Sequence, residues 1–312
     1  MQDYLEYKII NPKFDNIGYV TAMANLKEKH DRSAPSNYHW KILKCRMIIF
    51  SNSSIMACPD KSDVKKVHII FNKVGKDYDQ LNSLFLKFTL VQDGVIMKAP
   101  LEMYQMCFQY TLSARIAPTW NTLGYNYYIN NRHFLTTKGP QEGVKYNIIV
   151  DDYSTILQIK PVKINLMQSE EKFSPGEYVP VLPSLNKAII DDYYESLPHS
   201  GDFKSYKDLR RHWKNIHGYR LPDSEYPYYT VRFWRGDPFT YPNICLIKNF
   251  PIITTMPKSV ENVIIARFIN CLRYKMSHFL GIQLSIARSQ NPIKPMELMD
   301  TQNISLCTPT QK

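Results

Sequence analysis

The sequence predicts an α+β protein, with mainly antiparallel sheets and packed helices arranged in two closely associated lobes, and three observations lead there. Short β-rich runs bounded by turn residues interleave with apolar stripes of helical spacing in both halves of the chain. Hydrophobic residues make up 44% of 312 positions, enough to build sizeable cores. Aromatic residues reach 13%, with 22 Tyr against 4 Trp, which suits rings packed between layers with their hydroxyls at the edge.

Residues 4–10 and 18–26 read as the first strands, and the turn residues Asn11-Pro12 and Asp15-Asn16 between them suggest a hairpin. Tyr38, Ile42, Cys45 and Ile49 recur at helical spacing over residues 38–50, residues 64–72 are β-rich, and Tyr78, Leu81, Leu84, Phe85 and Phe88 form a second helical face. Over residues 108–116 Phe108, Tyr110, Leu112, Ala114 and Ile116 alternate with polar residues, which predicts a strand. Pro118 should end it and Gly124 should reverse the chain. Further strands are expected at 125–129, 144–150 and 155–164, with Asp151-Asp152 as a turn.

Residues 168–183 read as a linker or long surface loop, and the two lobes are expected to join near residues 135–183, with bounds 1–140 and 141–288 and a disordered tail at 289–312. Ser184 is a candidate cap for a helix bearing Leu185, Ile189, Tyr193 and Leu197. Ser205, with Asp208 three residues on, should open a second helix carrying Leu209, Trp213 and Ile216 and closed by Gly218. Residues 228–234 and 241–248 read as paired strands, 260–280 as a long helix ended by Gly281, and 284–288 as a last short strand.

Charge is the loudest compositional feature: 39 Lys and Arg against 28 Asp and Glu leave a net +11, which attracts polyanions of any kind. Two stretches exceed the average, residues 41–76 with eight basic and two acidic residues and residues 203–235 with eight and three. In the second, Lys207, Arg210, Arg211 and Lys214 share the expected helix, and Tyr219, Tyr226, Tyr228, Tyr229, Phe233 and Trp234 follow. Basic groups beside rings are what phosphate contact and base stacking require, although one row of those rings must face inward.

No Walker loop, GxGxxG, GxSxG, HExxH, kinase signature or EF-hand loop occurs, so no catalytic, metal-binding or cofactor-binding residues are assigned. The doublets Asp151-Asp152 and Asp191-Asp192 read as a turn and a solvated helix face. His212 and His217 stand five apart, not the four that stacks imidazoles on one helical face, and read as surface or capping residues. His199-Ser200-Gly201-Asp202 gives adjacency without the convergence a nucleophile needs. The six cysteines are scattered with no CxxC, as in reduced proteins of the cytosol or nucleus. A signal peptide and a membrane-spanning run are both missing from the expected features.

Three stretches carry a resemblance: Leu112-Ser113-Ala114-Arg115-Ile116-Ala117-Pro118-Thr119-Trp120-Asn121 with Gly124; Tyr206-Lys207-Asp208-Leu209-Arg210-Arg211-His212-Trp213 running to Gly218-Tyr219-Arg220-Leu221-Pro222; and Phe239-Thr240-Tyr241-Pro242. In order and spacing they resemble the N-terminal domain of the uncharacterised vertebrate chromosome-18 open-reading-frame protein family, a domain of unknown function, over most of residues 1–288. The resemblance implies a shared fold unit and brings no activity, cofactor or catalytic residue with it.

The expected function is therefore a non-catalytic binding or scaffold module in an intracellular protein assembly, with the nucleus favoured over the cytoplasm, a protein partner and no membrane. Nucleic-acid binding through residues 204–235 is the alternative. Lys207, Arg210, Arg211, His212, Lys214 and Tyr219 form the candidate partner or polyanion surface. Arg115, Pro118, Trp120, Trp213 and Gly218 are expected to be structural anchors.

Overall fold

A computed structural model describes residues 4–25, 37–74, 80–169, 171–198, 203–234 and 238–289. Its strands are antiparallel throughout and its helices lie against them, as an α+β chain requires. Residues 290–312 of the expected tail, Tyr78 of the second expected helical face, and the stretches 199–202 and 235–237 fall outside the described residues.

The largest sheet has seven strands. Its spine is β9 (Ser154–Met167), whose residues 155–164 pair with the whole of β8 (Gln141–Val150) across the Asp151-Asp152 turn. On the other edge of β9, β1 (Leu5–Ile10) takes the first half and β14 (Asn249–Thr255) the second. β17 (Ile286–Arg288) extends the sheet beyond β1, and β7 (Tyr127–Asn130) and β6 (Trp120–Leu123) extend it beyond β8. The sheet thus draws strands from both sides of residue 140, so the two expected lobes share one continuous hydrogen-bonded layer at that boundary.

A four-stranded sheet, ordered β3 (Ile55–Pro59), β4 (Lys66–Asn72), β2 (Ile17–Ala24), β5 (Leu90–Lys98), carries α1 (Asn37–Ser51) and α2 (Leu81–Lys87). The expected hairpin between the first two strands does not form: β1 and β2 belong to different sheets, and a short 3₁₀ turn at Phe14–Asn16 carries the chain between them. The second four-stranded sheet is β10 (Tyr178–Val181), β11 (Asn186–Tyr194), β12 (Tyr228–Arg232), β13 (Pro238–Pro242). The expected helix after Ser184 is β11, because Ala188 and Ile190 point to the core at a spacing of two, and Asp191 accordingly meets Arg232 across the strands at 2.8 Å. Of the second strand expected at 241–248, only Tyr241 and Pro242 are extended in the sheet, as the end of β13. A 3₁₀ turn at Asn243–Cys245 follows.

The main correction concerns residues 108–116, which lie in the helix α3 (Leu101–Ile116). Tyr104, Cys107, Phe108, Thr111 and Leu112 are buried at intervals of three and four, and Ala114 and Ile116 are buried as well. A helix wrapped on several sides loses its polar face, and the remaining alternation then mimics a strand. α3 packs on β3 and β4 of the smaller sheet and on β6 and β8 of the larger. Thr111 Oγ1 accepts the Ala57 amide at 3.2 Å on one side, and Ser113 Oγ meets the Tyr128 hydroxyl at 2.6 Å on the other.

The helix α5 (Lys258–Lys275) covers the main sheet with Ile264, Ile265, Phe268, Ile269 and Leu272. It ends before the expected Gly281. Leu280 and Gly281, both at positive φ, instead turn a short hairpin of β15 (His278–Phe279) and β16 (Ile282–Gln283). None of the helices is long and apolar enough to cross a membrane among the described residues.

Gly143 in β8 has no room for a side chain: a Cβ would stand 2.4 Å from Ile164 Cδ1 and 2.8 Å from the Tyr128 carbonyl oxygen. Gly143→Ala should therefore lower stability by about 1–3 kcal/mol, read as a shift of the urea midpoint at unchanged slope. An unshifted midpoint would contradict this packing.

Candidate functional site

The helix α4 (Tyr206–His217) is set by local chemistry at both ends. Ser205 Oγ accepts the Asp208 amide at 3.2 Å and donates to the Asp208 carboxylate at 2.9 Å, satisfying one of the free donors of the first turn. Gly218 closes the helix in the left-handed region at φ 76°, its amide donating to the Lys214 carbonyl. Between the caps Leu209, Trp213 and Ile216 are buried, and Trp213 lies edge-on to Tyr241 at 5.2 Å.

That anchoring leaves Lys207, Arg211 and Lys214 on the opposite, exposed side. Their spacing of four and three puts them in one stripe. None of the three takes part in an ion pair among the described residues. Arg210 stands apart from them: it pairs with Asp223 and lies over the Tyr206 ring at 5.9 Å, holding the segment after the helix against its first turn. The Tyr206 hydroxyl donates to the Pro222 carbonyl at 2.8 Å in the same place.

Tyr219 does not belong to this surface. It is fully buried, edge-on to Phe134 at 4.9 Å, and its hydroxyl donates to the Thr122 carbonyl. The side chain following a left-handed glycine is turned back under the helix, which a reading of spacing along the chain cannot show. His212 and His217, expected in a surface or capping role, are likewise turned inward against other rings. His212 is edge-on to His39 of α1 at 4.7 Å and beside Phe203 at 4.9 Å, and His217 lies beside Trp213 at 4.7 Å. Burial drives the His39 imidazole down to about 4. Burial and the neighbouring His39 drive His212 down to about 3. His217 falls well below its ordinary value through burial and then through His212, His39 and Arg46.

The anchor residues hold the frame around α4. Arg115 donates to the carbonyls of Ile49 and Asn52 and lies over Phe50 at 5.5 Å, so it caps the C-terminal end of α1 from the neighbouring helix. The Pro118 carbonyl accepts Asn121 Nδ2 at 3.0 Å, and Trp120 is buried edge-on to Phe268 of α5 at 5.0 Å. Gly218 touches this corner directly, since a Cβ there would stand 2.7 Å from that of Ala117. The first two motifs of the sequence therefore meet in space.

The basic stretch 41–76 contributes much less surface than its composition suggests. Lys41 is buried, with its ammonium on the carbonyls of Asp60 and Asp63, Lys44 is buried beside the Trp40 ring, and Lys66 pairs with Asp93 at 2.9 Å. The same region holds a chain of polar contacts with no counterpart in the sequence motifs: Asp60 Oδ2 to His68 Nε2 at 2.9 Å, and His68 Nδ1 to the Tyr19 hydroxyl at 2.8 Å. Burial, with Cys107, Cys58, Asp60 and Asp93 nearby, pushes the Tyr19 phenol up to about 12, so it stays protonated at neutral pH. Among the described residues no group of three or more His, Cys, Asp or Glu is placed to hold a metal ion.

Together these features define an α+β chain with antiparallel sheets, a buried linking helix and one anchored helix that turns a cationic stripe outward. The family described as Domain of unknown function (DUF4708) matches residues 7–173 and 170–257, and the chain belongs to it. Among solved structures, the chain is similar to Marinitoga piezophila Argonaute in complex with 5′ OH guide RNA, at 12% identity and a TM-score of 0.39 over 88% of this chain and 36% of that one. The same Argonaute with guide RNA and target DNA gives 9% identity and a TM-score of 0.36 over 87% and 35%. The chain thus spans about a third of the length of the proteins it overlaps.

The buried imidazoles give stability a pH dependence of definite sign. Below pH 6.5 the unfolded chain protonates these histidines, whereas the folded protein holds His39 and His212 neutral down to about 4 and 3. Their contribution is complete above the unfolded value and is lost as pH falls towards the folded ones, by about 1–2 kcal/mol for each at pH 5. Denaturation at pH 7 and pH 5 should show that loss, and His39→Gln with His212→Gln should reduce it, leaving the share of His217.

Proposed function

We propose that the protein is a non-catalytic binding or scaffold module of an intracellular assembly, in particular a nuclear one, and that it docks an acidic protein surface through α4. The observation that carries this reading is the stripe of Lys207, Arg211 and Lys214, exposed on a helix whose other face is fixed by Leu209, Trp213 and Ile216. Cations presented by a rigid element favour a partner of opposite charge, because little side-chain or backbone order has to be created on binding. The burial of Trp213 and the close contact of Gly218 with Ala117 support the same reading, because they hold α4 against its neighbours. Kinship with the chromosome-18 open-reading-frame proteins is part of the proposal, and places the partner surface within a shared fold unit.

Direct nucleic-acid binding is the second reading, favoured by the same stripe together with Trp234, which is 79% exposed two residues beyond β12. Phosphates would meet the cations and a base the indole face.

One pair of measurements separates the two. Charge reversal at Lys207, Arg211 and Lys214 should remove salt-sensitive protein partners captured from cell extract while leaving the thermal midpoint unchanged. Fluorescence anisotropy with labelled single- and double-stranded oligonucleotides reports the alternative. Three phosphate contacts on a duplex predict a log–log salt slope near about −3, lost in the reversed variant. Binding of neither kind, or binding indifferent to the reversal, would remove α4 from the account.

A further inference from the structure

Where the end of α4 meets α1 and α3, a cleft of about 470 Å³ opens beside the Gly124 turn. That volume lies in the range of pockets that take small organic ligands. Its lining has a one-sided charge: Arg46 and Lys61 contribute to it beside His217, and no Asp or Glu is among the described residues that form it. The rest mixes apolar side chains such as Ile42, Met106 and Ile216 with three tyrosines, Tyr110, Tyr125 and Tyr146. Tyr146 stacks on Tyr128 at 4.3 Å, its hydroxyl receives Gln109 Nε2 at 3.1 Å, and it donates to the Tyr125 carbonyl at 3.2 Å, so this part of the lining is already ordered.

Arg46 is the unexplained group. It rises from α1 with its Nε buried and without a hydrogen-bond partner. The guanidinium lies over the Phe50 ring at 5.3 Å and beside Gly218, where a Cβ would stand 3.4 Å from Nη2. Nearby guanidinium groups are engaged: Arg115 has two carbonyls and Arg210 has Asp223. No carboxylate pairs with Arg46 among the described residues. A buried guanidinium is costly unless its donors find an acceptor, and its planar fork matches the two oxygens of a carboxylate or phosphate. Gly218 itself is required by its left-handed φ of 76° and by Ala117, whose Cβ would stand 2.7 Å from a Cβ there, and the guanidinium lies at ordinary contact distance beside it.

The geometry points to a binding site for a small planar organic oxyanion: a phosphate or carboxylate held by Arg46, with Lys61 at the entrance, and a ring laid against Tyr110 and Tyr125. The oxyanion completes the hydrogen bonding of Arg46 and the ring covers the tyrosines, one of which, Tyr125, is 78% exposed in the free protein. The site is separate from the outward stripe of α4 and stands or falls independently of it.

Isothermal titration of the full chain with four probes tests this and distinguishes the two anion sources: a nucleoside 5′-monophosphate, the uncharged nucleoside, an aryl carboxylate and inorganic phosphate. One of the two ring-bearing anions should bind, with its neutral or ring-free counterpart at least about tenfold weaker. Arg46→Gln should weaken that probe by about 10–100-fold, and Arg46→Lys less. Tyr125→Ala and Lys61→Ala, both at exposed positions, should weaken it without shifting the thermal midpoint, which keeps the test decisive if Arg46→Gln does not fold. Failure of both ring-bearing anions to bind at millimolar concentration overturns the site. So does binding unaffected by these substitutions, or binding of inorganic phosphate as tight as that of the ring-bearing probe.

Discussion

The structure depends on the burial of α3 between two sheets. Sheets that each bury one face need a common layer between them, and a helix supplies it only if apolar residues occupy most of its circumference. Phe108 and Leu112 fill this layer, each burial amounting to about 1.5–3 kcal/mol relative to exposure. The few polar groups on α3 are satisfied by named partners: Thr111 by the Ala57 backbone, Ser113 by the Tyr128 hydroxyl, Gln109 by Tyr146. Those partners lie on different sheets, so the hydrogen bonds of one helix also fix how the sheets are placed. Arg115 extends the same logic to α1, whose terminal carbonyls it caps.

This central element was also the one least legible in the sequence. Periodicity reports burial on one face, and α3 is buried on several, so the period of 3.6 fades and a chance alternation from Phe108 to Ile116 reads as a strand. α4 was legible for the converse reason. Its signals are all local: a Ser cap answered by Asp208, a stripe of Leu209, Trp213 and Ile216, and a terminal Gly218. β11 lay between these extremes, since Leu185, Ile189 and Tyr193 fit helical spacing as well as Ala188 and Ile190 fit a strand, and only pairing with β12 decides the matter. The missed division of β1 and β2 between sheets has the same origin: turn residues say that the chain bends, not which strand will receive it.

The candidate surface divides along similar lines. Lys207, Arg211 and Lys214 could be read from sequence because exposure on a capped amphipathic helix follows from the pattern. Tyr219 and the histidines could not, because their burial is set by what packs over the end of α4: His39 from α1, Phe134 and the Thr122 carbonyl. Composition misled in the stretch 41–76 for a related reason. Lysine is flexible enough to turn its ammonium onto backbone carbonyls, as Lys41 does, so a count of basic residues is not a count of exposed charges.

Arg46 and the three histidines then share one physical situation with opposite outcomes. Burial of an ionisable group is tolerated either by losing the charge or by finding a counter-charge. An imidazole can lose its proton near neutral pH, and His39, His212 and His217 do so, which makes the α1–α4 junction apolar in effect although histidines line it. A guanidinium cannot follow, since its ordinary value is so high that burial lowers it without neutralising it. Neutral histidines on one side therefore leave the charge of Arg46 without a counter-charge among the described residues, and the open side of that charge is the cleft. The polarity of the cleft thus follows from the packing of α1 on α4.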